Sequence, residues 1–295
     1  MKIFFKKIFY NQFFKVFSFN GVIVLGKLFT SFIVSKVSAI YLGPAGYAIV
    51  GNFKNALQGV LGITASGFQS GLIKYIAENK HDKKQIQIIT VSAFAFSVLI
   101  SLLIGVLIFI FSNQLAISVL KDPSLTLVFR YLSLLLPLIS LNFLMIYIIN
   151  GLQKFKLYTI LISVSNLLNA IITFLLIYYF RLNGALMAGV MVPVLSFVAS
   201  VFIKEVRTIF IDAITNLRSI SISFLKSISV YLFMAIYSTF LISFSYLLIR
   251  NSIISTIDVN TAGLWEAMNK ISSFYMIFFS SLFNIKAFVK LMYRK

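Results

Sequence analysis

The sequence contains no cysteine, one histidine and only seven acidic residues among 295. Without cysteine there is no disulfide and no thiol chemistry. The histidine, His81, stands beside Asp82 in a lysine-rich turn, which reads as a solvated loop position. No group of His, Asp or Glu has metal-ligand spacing, so no metal site is expected. No pair of carboxylates and no nucleophile with a neighbouring base appears either, so the chain reads as a non-enzyme with no catalytic residue and no cofactor. Glu78, Asp82, Asp122, Glu205, Asp212 and Asp258 all fall between apolar runs, which leaves Glu266 as the one carboxylate inside such a run.

What the chain has in abundance is apolar length: 60% of its residues are hydrophobic and 11% are charged. A soluble core of this size cannot hide so much apolar surface, whereas lipid accepts it. Eight segments, at about residues 17–40, 47–73, 86–112, 124–149, 157–180, 184–203, 227–249 and 262–285, are each long enough to cross ~30 Å of hydrocarbon as a helix. The expected fold class is therefore an all-α integral membrane protein with about eight transmembrane helices.

The 26 basic residues orient these helices. With the N-terminus in the cytoplasm, the inside set is Lys2, Lys6, Lys7, Lys15, Lys74, Lys80, Lys83, Lys84, Lys154, Lys156, Lys204, Arg207, Arg218, Lys226, Lys286, Lys290, Arg294 and Lys295. The outer connections hold only Lys121, Arg181 and Arg250, a strong positive-inside bias. The net charge of +19 is thus mostly topological. Its cations are spread over short turns without a reading module, which excludes nucleic acid and favours anionic membrane lipid as the partner of these surfaces. The N-terminal segment is retained as the first span, being too long for a signal peptide and containing Lys27.

The expected organisation is an N-terminal six-helix lobe over 1–203, a cytoplasmic interfacial linker over 204–226, and a partial C-terminal lobe of two helices and a basic tail over 227–295. The linker alternates charged and apolar residues, as a helix lying in the interface would. The runs beginning at Ala45 and Ala262 echo each other, and each opens the second span of its group, which suggests two parallel repeats with the second present in part.

Polar residues within the spans are costly in hydrocarbon and face either a cavity or another helix. In the second span Gly51, Asn55, Gln58, Gly62, Ala65 and Gln69 recur at steps of three and four, with Lys54 bordering their face. The fifth span repeats the pattern with Thr159, Ser163, Asn166, Asn169 and Thr173, and the eighth with Glu266, Lys270, Ser273 and Ser280. Two readings stand: close helix packing, or amides that receive sugar hydroxyls at Asn55, Gln58, Gln69, Asn166 and Asn169. Lys27 lies roughly 15 Å into its span at ~1.5 Å per residue, where snorkelling helps least, and is the sharpest candidate for a water-filled site. Lys36 lies near the outer end and reads as a snorkelling anchor. For Lys54 and Arg130 both readings stay open. The run from Gly21 to Lys27 imitates a phosphate loop, but Leu28 replaces the required hydroxyl residue and the run is inside a span, so nucleotide binding is excluded. The first six spans thus enclose cations and amides without a carboxylate, which suits an anion better than a cationic drug.

The run "YLGPAGYAIVGNFKNALQGVLGITASGFQSGLIKYIAE", residues 41–78, resembles the second-span region of the Wzx-type O-antigen and lipid III flippases of the MATE-like polysaccharide exporter superfamily. "RLNGALMAGVMVPVL" from Arg181 and "AGLWEAMNKISSFYM" from Ala262 are also similar. The resemblance implies translocation of an undecaprenyl-pyrophosphate-linked oligosaccharide from the inner to the outer leaflet of a bacterial inner membrane, with glycan polymerase and chain-length machinery as further partners. By the same resemblance, basic cavity residues hold the pyrophosphate, and Lys27, Lys54 and Arg130 fit that role. Glu266 with Lys270, one turn apart, is the candidate for ion coupling or a structural pair. Family members usually have about twelve spans, so the expectation is a truncated or frameshifted product. A multidrug antiporter on the same scaffold and a non-functional remnant are the alternatives. A glycan polymerase is disfavoured because no large outer loop is present.

Overall fold

The computed structural model describes the backbone of residues 2–292 and the side chains of 21–276, apart from Arg218, Leu232, Ile236, Thr239 and Phe240. The basic clusters at the two termini, Arg218 and Ser280 therefore lie outside the described side chains. The described backbone is helical, with no strand.

Four stretches are long and apolar enough to cross a membrane: Gly21–Thr64, Lys83–Ile110, Pro123–Gly151 and Phe155–Val201. Two of them double back. Helix α1, Lys2–Thr64, breaks at Gly43, whose φ of 66° with ψ of −178° is a conformation that only glycine adopts without strain. Pro44 follows as the first residue of the returning arm, where its missing N–H leaves no helical bond unmade. The arms then run side by side, so that the Ser35 and Tyr47 hydroxyls meet at 2.5 Å. No atom stands within 4 Å of where a Cβ on Gly43 would be, so Gly43→Ala is expected to cost about 1–3 kcal/mol through backbone strain alone, read as a lowered Tm in detergent.

Helix α6, Phe155–Val201, breaks likewise at Arg181, with φ 50° and ψ −125°. The Arg181 guanidinium lies 5.0 Å over the ring of Tyr41, so both reversals sit at the same end of the bundle. The opposite end carries the basic turns at 79–82 and 152–154 and is called the basic end below.

Between these reversals run α2 (Gln69–Glu78), α3 (Lys83–Ile110), the short α4 (Ser112–Leu115) and α5 (Thr126–Gly151). Asp82 starts α3 by accepting from the Lys84 and Gln85 N–H groups at 2.9 and 3.1 Å. The second span is not continuous to residue 73 as its sequence suggests. Ala65 leaves helical geometry (φ −144°, ψ −60°) and a 3-10 turn over Ser66–Phe68 intervenes before α2.

The apolar core forms two clusters. One, near the reversals, packs Phe53, Ile108, Leu120, Phe129, Leu136 and Leu186. The other, towards the basic end, packs Phe68, Leu72, Ile76, Phe94, Leu144 and Phe197. On the outside, Leu102, Leu103, Phe109, Leu134, Tyr179 and Phe180 are exposed. Such a belt is unfavourable in water and natural against lipid, and the molecule is an all-α, multi-pass membrane protein.

Helix α7, Lys204–Thr215, buries Val206 and Ala213 in the second cluster, and its Phe210 stacks edge-on against Phe197 at 5.4 Å. Helices α8 (Ile222–Thr256) and α9 (Val259–Met292) form a hairpin that packs along α1. Ser221 caps α8, and Asp258 caps α9 by accepting from the Thr261 N–H at 2.5 Å. That backbone hydrogen bond holds the Asp258 carboxyl below the ordinary carboxylate range. With the folded value depressed, the stabilisation is complete above the unfolded value of about 3.9 and is lost as pH falls through the folded one. Asp258→Asn is therefore expected to flatten the acid limb of a Tm-against-pH curve. An unchanged acid limb would remove Asp258 from the account.

Candidate functional site

Five helical arms meet around a cavity of about 220 Å³, room for roughly seven waters at ~30 Å³ each. Ser31, Ser35 and Ser38 come from the first arm of α1, and Phe53 and Lys54 from the second. Helix α6 supplies Asn169 and Thr173 from one arm and Ala185, Ala188 and Gly189 from the other, and α9 supplies Lys270. The lining holds two charges, both ammonium groups, together with four hydroxyls and one amide. Small residues on the second arm of α6 open the space: a Cβ on Gly189 would come within 3.0 Å of the Phe53 ring.

Lys54 is exposed to this cavity, and the charges acting on it are Lys270, Glu266 and Arg250. Lys270 also feels Lys27, and its ammonium lies 5.7 Å from the Phe274 ring centroid. Lys27 itself is exposed, one turn before Ser31 on the same helical face and towards the basic end. Lys54 and Lys270 line the cavity with no carboxylate in its wall, Lys270 acts on Lys54 and Lys27 on Lys270, and an anion entering among these cations relieves the repulsion.

The other polar residues singled out in the sequence scatter. Asn169 accepts from Thr173 Oγ1 at 3.1 Å at the cavity wall. Asn166 is one turn away with a buried, unpartnered Nδ2. Gln58 and Gln69 are exposed, and Gln69 lies beyond the break at Ala65. Arg130 is not brought to the cavity; its guanidinium lies 5.9 Å over the Phe109 ring, on the exposed side of α5. Lys36 is exposed.

Glu266 does not pair with Lys270. Its partner is Arg250, and theirs is the one ion pair among the described residues. Arg250 corrects the reading of an outer-connection cation: it is fully buried inside α8, because "NSIIST" carries no breaker and the helix continues to Thr256. Arg250 Nη1 donates to Asn52 Oδ1 at 2.6 Å, and Nη2 donates to Glu266 Oε2. The Asn55 amide, turned with its oxygen to the guanidinium, accepts from Nη1 at 3.1 Å and Nη2 at 3.3 Å. Trp265 lies 5.4 Å away under the guanidinium plane. Asn52 is fixed in turn by donating to the Val119 carbonyl at 2.9 Å. Gly51 makes room, since a Cβ there would stand 2.8 Å from the Glu266 carboxyl carbon.

Two signals for these groups lie in the sequence. Lys27, Ser31, Ser35 and Ser38 step by four, four and three along one face of the first arm. Arg250 and Glu266 are sixteen residues apart and symmetric about Asp258, so a hairpin turning there places them level.

Residues 15–287 match the model of the family described as polysaccharide biosynthesis protein. A Shigella flexneri protein named "Putative O-antigen transporter" is 32% identical over 155 residues, which is 50% of this chain and 36% of that relative. Among solved structures, an inward-facing multidrug resistance MATE family transporter of the MOP superfamily superposes with a TM-score of 0.65 at 22% identity, over 83% of this chain and 58% of that one. Its outward-facing counterpart gives 0.55 at 19% identity, over 90% and 70%. The chain thus spans about a third of its curated relative and somewhat over half of that first transporter. The fold is the one those transporters share, and the chain belongs to the polysaccharide biosynthesis protein family.

Proposed function

We propose that this protein translocates an undecaprenyl-pyrophosphate-linked oligosaccharide, of the O-antigen kind, from the cytoplasmic to the periplasmic leaflet of the bacterial inner membrane. The N-terminus and the basic end then face the cytoplasm, and residues 1–203 and 227–295 belong to two lobes joined by the segment 204–226. The observation that carries the reading is a cavity whose only charged lining groups are Lys54 and Lys270. Family membership and the O-antigen transporter relative support the same substrate class.

In this mechanism Lys27 receives the diphosphate from the cytoplasmic side, and Lys54 and Lys270 offset its desolvation deeper in. The serine face of α1 with Asn169 and Thr173 offers hydrogen bonds to phosphate or sugar oxygens, while the lipid tail stays in the bilayer. A diphosphate of about two negative charges gains roughly 4–5 kcal/mol on moving outward across ~100 mV, inside negative, so the membrane potential can drive the step. A multidrug antiporter needs a carboxylate for its cationic cargo, and the one in-span carboxylate described here is occupied by Arg250.

The test is complementation of a strain lacking its O-antigen flippase. Lys27→Ala is expected to lower surface glycan at least ~tenfold and Lys27→Arg to keep part of it, because the charge remains. Lys36→Ala should behave as wild type. Equal glycan from Lys27→Ala at equal expression would remove Lys27 from the path.

A further inference from the structure

Glu266 sits in an awkward place for an anion carrier. It is one helical turn from Lys270, and its field reaches Lys54 as well. A free carboxylate there would form an internal salt bridge with Lys270 and occupy the site meant for the diphosphate. The structure shows it drawn the other way, onto Arg250.

Arg250 is built to hold it. The guanidinium is buried and anchored from α1 by Asn52 and Asn55, with Asn52 itself pinned to Val119 and the Trp265 ring beneath. These contacts keep the cation in place independently of Glu266. The carboxylate, 18% exposed against 1% for the guanidinium side chain, is the less enclosed partner. We infer that Arg250 is a positioning residue that sequesters Glu266, and that Glu266 is an internal competitor of the substrate diphosphate for the Lys54 and Lys270 ammonium groups. While Glu266 is on Arg250 neither Lys54 nor Lys270 is ion-paired among the described residues, and both are open to an anion. When it swings to Lys270 the site is partly neutralised and a bound anion is loosened. One carboxylate thereby sets affinity without touching the substrate.

This rests on the anion-carrier reading, and the experiment separates the two. The 295-residue chain, wild type and variants, is placed in nanodiscs, and binding of radiolabelled undecaprenyl diphosphate is measured at equilibrium, with undecaprenol as the uncharged control. Arg250→Gln releases Glu266 and should weaken diphosphate binding by about tenfold or more, whereas Glu266→Gln removes the competitor and should tighten it about threefold. The double variant should bind like Glu266→Gln alone, about threefold tighter than wild type, where simple addition of the two single effects would leave it about threefold weaker; that non-additivity is expected of groups that act through each other. Undecaprenol binding should be alike in all four. A double variant weaker than wild type, whether at the additive value or as weak as Arg250→Gln alone, would overturn the inference, since Arg250 would then act directly or through the fold. So would equal or weaker binding by Glu266→Gln, an arm that decides the matter even if Arg250→Gln does not fold. Should the wild type bind the alcohol as well as the diphosphate, the anion site itself fails and the inference falls with it.

Discussion

Replacing Lys54 and Lys270 together by alanine is expected to reduce affinity for a diphosphate lipid by about 10²–10⁴-fold. A hydrogen bond to a charged group contributes roughly 1.5–3 kcal/mol, and the double variant removes two such partners from one cavity. Each single variant should lose about half of that in free energy, with Lys54→Arg and Lys270→Arg retaining most binding. The neutral hydroxyls at Ser31, Ser35 and Ser38 cannot replace the lost charge, since they leave the desolvated diphosphate uncompensated. Equilibrium binding with a labelled diphosphate lipid checks this directly. Unaltered affinity in the double variant would mean that the anion is held elsewhere.

The second large effect is structural. A Cβ on Gly263 would lie 1.8 Å from the Pro44 carbonyl oxygen, a contact with backbone that no rotamer change relieves. Gly263→Ala must push α9 away from the returning arm of α1, at a cost of about 3 kcal/mol or more. Because Lys270 rides on α9 two turns further on, the same shift should weaken ligand binding as well as lower Tm. Gly59→Ala is the contrast. Its nearest neighbour would be the Ser243 Cβ at 3.9 Å, and alanine is the better helix former by up to ~1 kcal/mol, so it should be neutral or mildly stabilising. Similar melting curves for the two variants would show that the α1–α9 approach is not tight.

Much of the fold was legible because hydrocarbon imposes a length on apolar runs and turn chemistry marks their ends. The segment expected at 17–40 falls on the first arm of α1, that at 47–73 runs along the second arm and past its end at Thr64 into α2, and the Gly43–Pro44 reversal lies between them. Arg181 does the same between the arms of α6, although a non-glycine residue at φ 50° gives no compositional warning. Side-chain pairing was harder to read. The apolar run of α8 stops at Ile249, so Arg250 looked like a loop cation, yet the helix runs on until Asp258 caps the next one. Local spacing then offered Lys270 as the partner of Glu266, while the hairpin delivered Arg250 from sixteen residues upstream. Helical periodicity fixes which residues share a face but not what that face meets. Asn55 was visible as part of a polar stripe, and only packing shows that it holds an arginine. Arg130 entered as a pyrophosphate candidate through the resemblance alone, and its place on α5 sets its guanidinium over Phe109 instead.

The central claim is that the lysine-lined cavity passes a diphosphate-linked glycan outward under the membrane potential. The most direct measurement is the leaflet distribution of an undecaprenyl-diphosphate-linked oligosaccharide in proteoliposomes holding the protein in one orientation, with a potassium diffusion potential imposed. The account predicts movement toward the positive side that accelerates with potential and disappears in the Lys54→Ala, Lys270→Ala double variant. Equal movement of a glycan on neutral undecaprenol, or no response to potential, would contradict it.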